Sequence, residues 1–201
     1  MAAISASAGA SGAMFPFNLE VDGPQPQSRL SVFFRIIFAI PQLIVTYFIS
    51  ALLSIVGLIG WLVILFTGKY PGGMMNFSTG GLRWLLRTYA YMALLTGQYP
   101  PFSLEDDSKY PVRFLGQGQT DGRNRLTCFF RLLMVIPHVI VLYILGAIAY
   151  IAVVIAWFAA LITGSVPSGL HTFIAGVLRW GSRVYAYYYL LTDEYPPFSM
   201  S

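Results

Sequence analysis

The chain has 201 residues, of which 57% are hydrophobic and only 10% charged, with a net charge of +4 and a mean hydropathy of +0.67. A soluble domain carries about 25% charged residues, so this composition excludes an ordinary water-coated globule and points to a chain solvated largely by lipid. The basic excess is small and scattered, which speaks against a nucleic-acid partner and suits anionic headgroups.

Residues 1–14, MAAISASAGASGAM, are small and polar, with no basic or apolar region of a secretory signal, and are expected to be a disordered tail. FPFNLEVD (15–22) alternates in part and predicts a short strand. RLSVFFRIIFAI then sets Arg29 and Arg35 among aromatic residues before Pro41, which suits a helix along the headgroups with both arginines snorkelling outward. The alternative is one long tilted helix with the proline inside it. From Gln42 to Phe66 there is no charge, and a spanning helix needs about 20 such residues. FTGKYP stops this segment.

A second helical segment is predicted over 74–96, with Arg83 and Arg87 on one face. Two arginines at mid-membrane would cost about 2.5–3.5 kcal/mol each on insertion scales, and no acidic residue lies in the segment. An interfacial helix is therefore expected, with Trp84 at the headgroup level; a helix buried against its partner half, or a four-span bundle, is the alternative. YPPFSL (99–104) follows, its double proline forcing an extended backbone. It is predicted to close and cap the unit, with Tyr99 and Phe102 as interfacial anchors and pairing between this tail and the strands. The linker 105–124 carries Glu105-Asp106-Asp107, read as a solvated acidic turn, and a second strand-like stretch, YPVRFLG, at 110–116.

The rest of the chain repeats the first part. Shifted by 96 positions, RLSVFFRIIFAIP (29–41) falls on RLTCFFRLLMVIP (125–137), Trp61 on Trp157, LRW (82–84) on LRW (178–180), and YPPFS on YPPFS. Roughly half the positions between 29 and 104 are identical to their partners, the mark of one unit written twice. The second copy therefore predicts a pre-proline segment with Arg125 and Arg131, a span from His138 to Ile162, a helix over 170–192 with Arg179, Trp180 and Arg183, and anchors Tyr195 and Phe198. The domain division is a tail (1–14), unit one (15–104), linker and strand (105–124) and unit two (125–201). Such duplicated halves commonly pack about a pseudo-two-fold axis.

An apolar span ending in FTGKYP or ITGSVP, then LRW with a following Arg, YAY and LLT, then YPPFS, resembles a bacterial membrane-protein family known only as domain-of-unknown-function family 4389, in tandem two-copy form. The resemblance covers about residues 15–201. It implies an all-α, multi-pass protein of the bacterial inner (plasma) membrane and carries over no catalytic residue.

No catalytic constellation is legible. The eight acidic residues, Glu20, Asp22, Glu105, Asp106, Asp107, Asp121, Asp193 and Glu194, lie outside the apolar runs and none is kept between copies. His138 aligns with Gln42 and His171 with Met75, so neither imidazole is kept, and the two do not converge as metal or haem ligands. Cys128 reads as a small apolar residue, and Gly57 and Gly60 fit a close helix contact. No cofactor and no enzyme activity are expected.

The eight arginines kept in both copies (Arg29, Arg35, Arg83, Arg87, Arg125, Arg131, Arg179 and Arg183) are the candidate contacts for lipid phosphate or another anion, with a pocket at Arg83 and Arg87 or their twins as the sharper form. With one span per unit, the segment 67–131 holds most of the basic residues and is expected on the cytoplasmic side; with two per unit, the count does not decide. The expected fold is an all-α integral membrane protein, a tandem repeat of a long spanning helix and an amphipathic one with short extended segments before each. The expected role is a non-catalytic accessory or structural subunit, in contact with membrane lipids and with other membrane subunits or itself. A lipid or small-anion transporter or channel is the alternative.

Overall fold

A computed structural model describes residues 15–201; the tail expected over 1–14 lies outside the described residues. In chain order the elements are β1 (Phe17–Val21), α1 (Arg29–Phe33), α2 (Arg35–Thr67), α3 (Gly72–Met92), β2 (Val112–Gly116), α4 (Arg125–Thr163) and α5 (Ser168–Tyr188). At 1.5 Å per residue α2 and α4 are about 50 and 58 Å long, against a hydrocarbon core of about 30 Å. Both are long and apolar enough to cross a membrane, and in their most apolar windows only 22% and 11% of residues are buried. The core helix of a soluble protein would be mostly buried, whereas most of this apolar surface is exposed.

Two expectations about the long helices change. α4 runs unbroken through Pro137, and in the first copy the chain bends at Phe34, not at Pro41. A proline forfeits one helical hydrogen bond without ending either helix here, and Arg35 and Arg131, six residues earlier, are packed inside the protein. The pre-proline arginines Arg35 and Arg131 thus point inward, not toward headgroups.

Gly68 and Gly164 end the long helices in the left-handed conformation (φ 69° and 82°), where glycine carries no Cβ penalty. α3 and α5 then fold back antiparallel along them: Tyr70 lies against Gly60, Gly81 against Leu53, and Trp84 Nε1 donates to Thr46 Oγ1 (3.1 Å). They also pack on each other and are about half buried, and neither, though long enough, is apolar enough for a membrane span. The interfacial placement expected for them is corrected: their arginines and tryptophans are spent on partners within the protein.

β1 and β2 pair with each other, antiparallel, and not with the YPPFS tails. The tails cannot serve as strands because their carbonyls are taken by arginines and their prolines donate nothing. Phe17, Leu19, Val112 and Phe114 turn inward, β1 onto α5 and β2 onto α3, while Glu20 and Arg113 face each other on the outer side.

The copies are related by a pseudo-two-fold through the centre of this sheet, since Asn18↔Leu115 and Leu19↔Phe114 are each other's twins under the 96-residue shift. The bonds between copies are reciprocal. Trp61 Nε1 donates to Cys128 O and Trp157 Nε1 to Val32 O, both at 3.0 Å. The Gln27 amide donates to Gly164 O and the Arg123 amide to Gly68 O (2.8 and 3.1 Å). The end of each long helix therefore meets the start of the other, and α2 and α4 run antiparallel.

Side-chain volume is traded between copies. A Cβ on Gly81 would lie 2.8 Å from Leu53 Cδ2; the twins are Val177 and Ala149, which line one groove beside α4. Gly60 with Tyr70 answers to Ala156 with Val166 in the same way. Gly81→Val alone is expected to destabilise by about 1–3 kcal/mol through overpacking. Adding Leu53→Ala, which completes the second copy's pairing, is expected to recover at least half of that loss, as read from denaturation in mild detergent.

Candidate functional site: two arginine clusters

The helix ends at residues 92–97 and 188–193 organise the site. Leu94 and Leu190 adopt positive φ (62° and 65°). Leu95 N donates to Ala90 O and Leu94 N to Tyr91 O, with Leu191 to Ala186 and Leu190 to Tyr187 in the second copy, the pattern of a Schellman stop. This is why both helices end four residues before the sequence suggested. Leucine in this conformation costs about 1–2 kcal/mol. Burial of both side chains, worth about 1.5–3 kcal/mol each, explains why glycine does not replace them.

Arg35 and Arg131, each 2% exposed, seal these ends. Arg35 Nη1 donates to Tyr91 O (2.8 Å) and Thr96 O (2.7 Å), and its guanidinium lies 4.2 Å over the Tyr91 ring. Arg131 Nη1 donates to Tyr187 O and Thr192 O, 4.3 Å over the Tyr187 ring. A cation on the carbonyl end of a helix is favoured by its dipole as well as by the bonds.

The third partner of each arginine differs between copies. In the first, Gln27 Oε1 accepts from Arg35 Nη2 (2.5 Å) while Gln27 Nε2 donates to Leu94 O. In the second, Asp193 accepts from Arg131 Nη2 (2.5 Å), and Arg123, the twin of Gln27, bridges Asp193 and Leu190 O. Asp193 stands where the first copy has Gly97, so a neutral Gln–Gly pair in one copy answers to an Arg–Asp pair in the other. The signal for this was in the sequence as two paired differences between copies; a search for identities passes over it.

Arg83, Arg87, Arg179 and Arg183 answer the purpose of YPPFS. Arg83 Nη1 donates to Leu104 O (2.8 Å) and Arg87 Nη1 to Glu105 O (2.9 Å); Arg179 Nη1 donates to Met200 O (3.2 Å), and Arg183 to Ser199 O and Ser201 O. Each tail is pinned through its carbonyls. The anion pocket expected at Arg83 and Arg87 is thereby filled by the chain itself, and Asp106 from the linker adds a carboxylate 3.7–3.9 Å from both. The turn at 105–107 is not simply solvated: Asp106 also meets Arg113 at 2.6 Å.

Trp84 and Trp180 are 5% and 6% exposed and are not headgroup anchors. Each packs edge-on to a tail ring, Phe102 (5.5 Å) or Phe198 (5.6 Å). Tyr99, Phe102, Tyr195 and Phe198 remain exposed and brace one another on the outer side. His138 accepts from Trp180 Nε1 (3.1 Å) with its ring stacked on Phe198 (3.9 Å), and His171 meets Leu95 O of the other copy (3.1 Å). Arg29 and Arg125 are exposed in the first turns of α1 and α4, the two arginines of the eight turned to the surroundings. Among the described residues no group of three His, Cys, Asp or Glu side chains is placed to hold a metal ion.

Two predictions follow from the charges. Asp193→Asn leaves Arg123 and Arg131 buried without a carboxylate and is expected to cost about 3–5 kcal/mol. The double change Arg123→Gln with Asp193→Gly, which rebuilds the first copy's arrangement, is expected to be milder than Asp193→Asn alone. At Asp106, the hydrogen bond from Arg113, with the charges of Arg113, Arg83 and Arg87, holds the carboxyl below its usual range against the opposing push of burial. The stabilisation is present above the unfolded value of about 3.9 and is lost as pH falls through the lower folded one. Asp106→Asn should therefore flatten the acid limb of the stability–pH curve. At neutral pH it should cost at most about 1 kcal/mol, because the carboxylate is a third exposed and screened.

No curated protein and no solved structure matches the chain. A family model does match, twice, over residues 29–103 and 125–200, and the two matches divide where the structure divides. The chain belongs to the family described as Domain of unknown function (DUF4389), in a tandem two-copy arrangement.

Proposed function

We propose that this chain is a non-catalytic integral membrane protein that acts as an accessory or structural subunit, packing through one face against other protein in a larger complex or a homo-oligomer. The resemblance noted in the sequence would set it in the bacterial plasma membrane. The observation that carries the reading is a mismatch between two faces. The outer sides of α2 and α4 are apolar along their length, from Ile36 to Phe66 and from Leu126 to Ile162. The opposite face carries Glu20, Arg113 and Asp106, half or partly exposed, beside Arg83 and Arg87. Arg83 and Arg87 are level with Thr46–Leu53, the middle of α2, because Gly81 meets Leu53 and Thr88 meets Thr46. If α2 and α4 cross the bilayer, that charged face lies at mid-depth, where lipid contact is costly. Protein, or water enclosed by protein, must cover it. One crossing per copy also fits the antiparallel α2 and α4, the geometry of an inverted repeat.

The charged face supports a second reading as well. In an oligomer it would line a wet interior, as a lipid or small-anion transporter or channel needs.

Alkaline carbonate extraction of membranes is expected to leave the chain in the pellet, and its release would overturn the membrane reading. In mild detergent, native mass spectrometry is expected to find a defined oligomer or a retained partner. Cysteine placed at Asn18 on the charged face, in a Cys128→Val background, should cross-link to that partner. A bare monomer under several gentle conditions, with no cross-link, would remove the subunit role. Anion flux in proteoliposomes above that of empty vesicles separates the transporter from the packing subunit.

A further inference from the structure

α2 and α4 lie antiparallel, and their exposed apolar side chains run from Ile36 to Phe66 and from Leu126 to Ile162. At roughly 1.5 Å per residue these runs measure about 45 and 55 Å. No exposed charge interrupts them; Arg131, the one charged residue inside them, is buried. Nor does exposure fade toward the ends: Ile36 and Phe66 are 73% and 79% exposed, and Leu52 between them 49%. Set across a hydrocarbon core of roughly 30 Å, such runs need a tilt of about 50°, whereas crossing helices tilt by about 0–40°. Less tilted, they would carry bare apolar side chains past the core at both ends.

Polarity changes in another direction, across the thickness of the molecule. The sheet packs on α3 and α5, and these pack on α2 and α4. The two YPPFS tails run along the flanks of this stack. At one flank Gln42 of α2 donates to Pro100 O (2.8 Å), with the exposed rings of Tyr99 and Phe102 beside it. A few residues on, Arg83 and Arg87 hold Leu104 O and Glu105 O, and Asp106 meets Arg113 of β2. At the other flank Tyr195 and Phe198 lie against His138 of α4, with ring centroids 4.8 and 3.9 Å from its own. There Arg179 donates both to Met200 O and to Leu19 O of β1. Each flank therefore passes from apolar helix, through aromatic rings, to ionic groups and sheet. That is the order met on leaving the core of a bilayer: hydrocarbon, the interfacial belt that tyrosine favours, then water.

The normal of a membrane follows the direction in which polarity changes, and here that direction is perpendicular to the long helices. We propose that the face of α2 and α4 docks on a single lipid leaflet, with both helices lying along the bilayer and neither crossing it. A helix with its side chains is about 10 Å across, so the pair fits within one leaflet's share of the core, roughly 15 Å. Arg29 and Arg125, exposed at opposite ends of the pair, then reach phosphates of the same leaflet. This placement rests on the membrane reading proposed for the chain, but not on a crossing. It leaves the charged sheet in water, where a polar partner can reach it and no cover is required.

The test is polarised infrared spectroscopy of the full chain in oriented bilayers of phosphatidylcholine and phosphatidylglycerol. α3 and α5 run antiparallel along α2 and α4, so nearly all helical amide I dipoles share one direction. The expected dichroism sets the helix axes in the plane of the bilayer. Axes along the normal overturn the proposal and leave the membrane reading standing; a chain that stays off the bilayers overturns both. Acyl-brominated phosphatidylcholine is expected to quench Trp61 and Trp157, which are only partly buried in α2 and α4. Absence of quenching means that a second copy or another protein covers the face, and overturns the proposal too. A second measurement places single cysteines at Lys69 and Ser168, exposed just beyond the ends of α2 and α4, in a Cys128→Val background. Both are expected to react with a membrane-impermeant maleimide together, either on intact spheroplasts of a bacterial host or only after permeabilisation. One site reacting before permeabilisation and the other only after it, or neither reacting at all, overturns the proposal.

Discussion

Each copy is built around a guanidinium buried at the carbonyl end of its second helix. The left-handed leucine at 94 or 190 turns the chain sharply and leaves carbonyls at the helix end and just beyond it facing inward. Arg35 or Arg131 reaches across from the long helix and takes two of them, with a tyrosine ring against its flat face. That one contact joins the start of the long helix to the end of the short one and so closes the hairpin. It also explains why a positive charge survives 2% exposed inside a chain so poor in acids: helix carbonyls supply most of its solvation. The YPPFS tail repeats the device on the other side of the short helix, where Arg83 and Arg87, or Arg179 and Arg183, hold its carbonyls.

Duplication gave the molecule freedom to differ in matched pairs. Gln27 with Gly97 answers to Arg123 with Asp193, and Leu53 with Gly81 to Ala149 with Val177. Each change is intelligible only with its partner, because interiors are close-packed and buried charge must be balanced locally. The asymmetry has a structural result. The space beside Ser54 and Gly57 is open where the other copy has the bulkier Tyr150 and Val153, so the two halves share a fold without sharing a surface.

The faces of the assembled molecule set its relations with its surroundings. A long apolar face on α2 and α4 stands opposite a small sheet edged with ionic residues, with α3 and α5 between them. No uniform medium satisfies both faces. An apolar medium suits the first, and water or a polar protein surface suits the second.

The sequence by itself determined the repeat, the two long apolar helices, their glycine stops and the strands before each unit. These are periodic or local features, carried by spacing and by residues such as Gly68, Gly164 and the double prolines. Only the tertiary structure decided that six of the eight kept arginines turn to partners within the protein, that Trp84 and Trp180 are core residues, that the strands pair with each other and that Asp106 and Asp193 return to pair with arginines of other elements. An arginine beside aromatic residues reads the same whether its partner is a lipid phosphate or a helix carbonyl, since both are oxygen acceptors. Which one it meets depends on where a segment some 56 residues away folds back, and a pattern read along one dimension does not contain that distance.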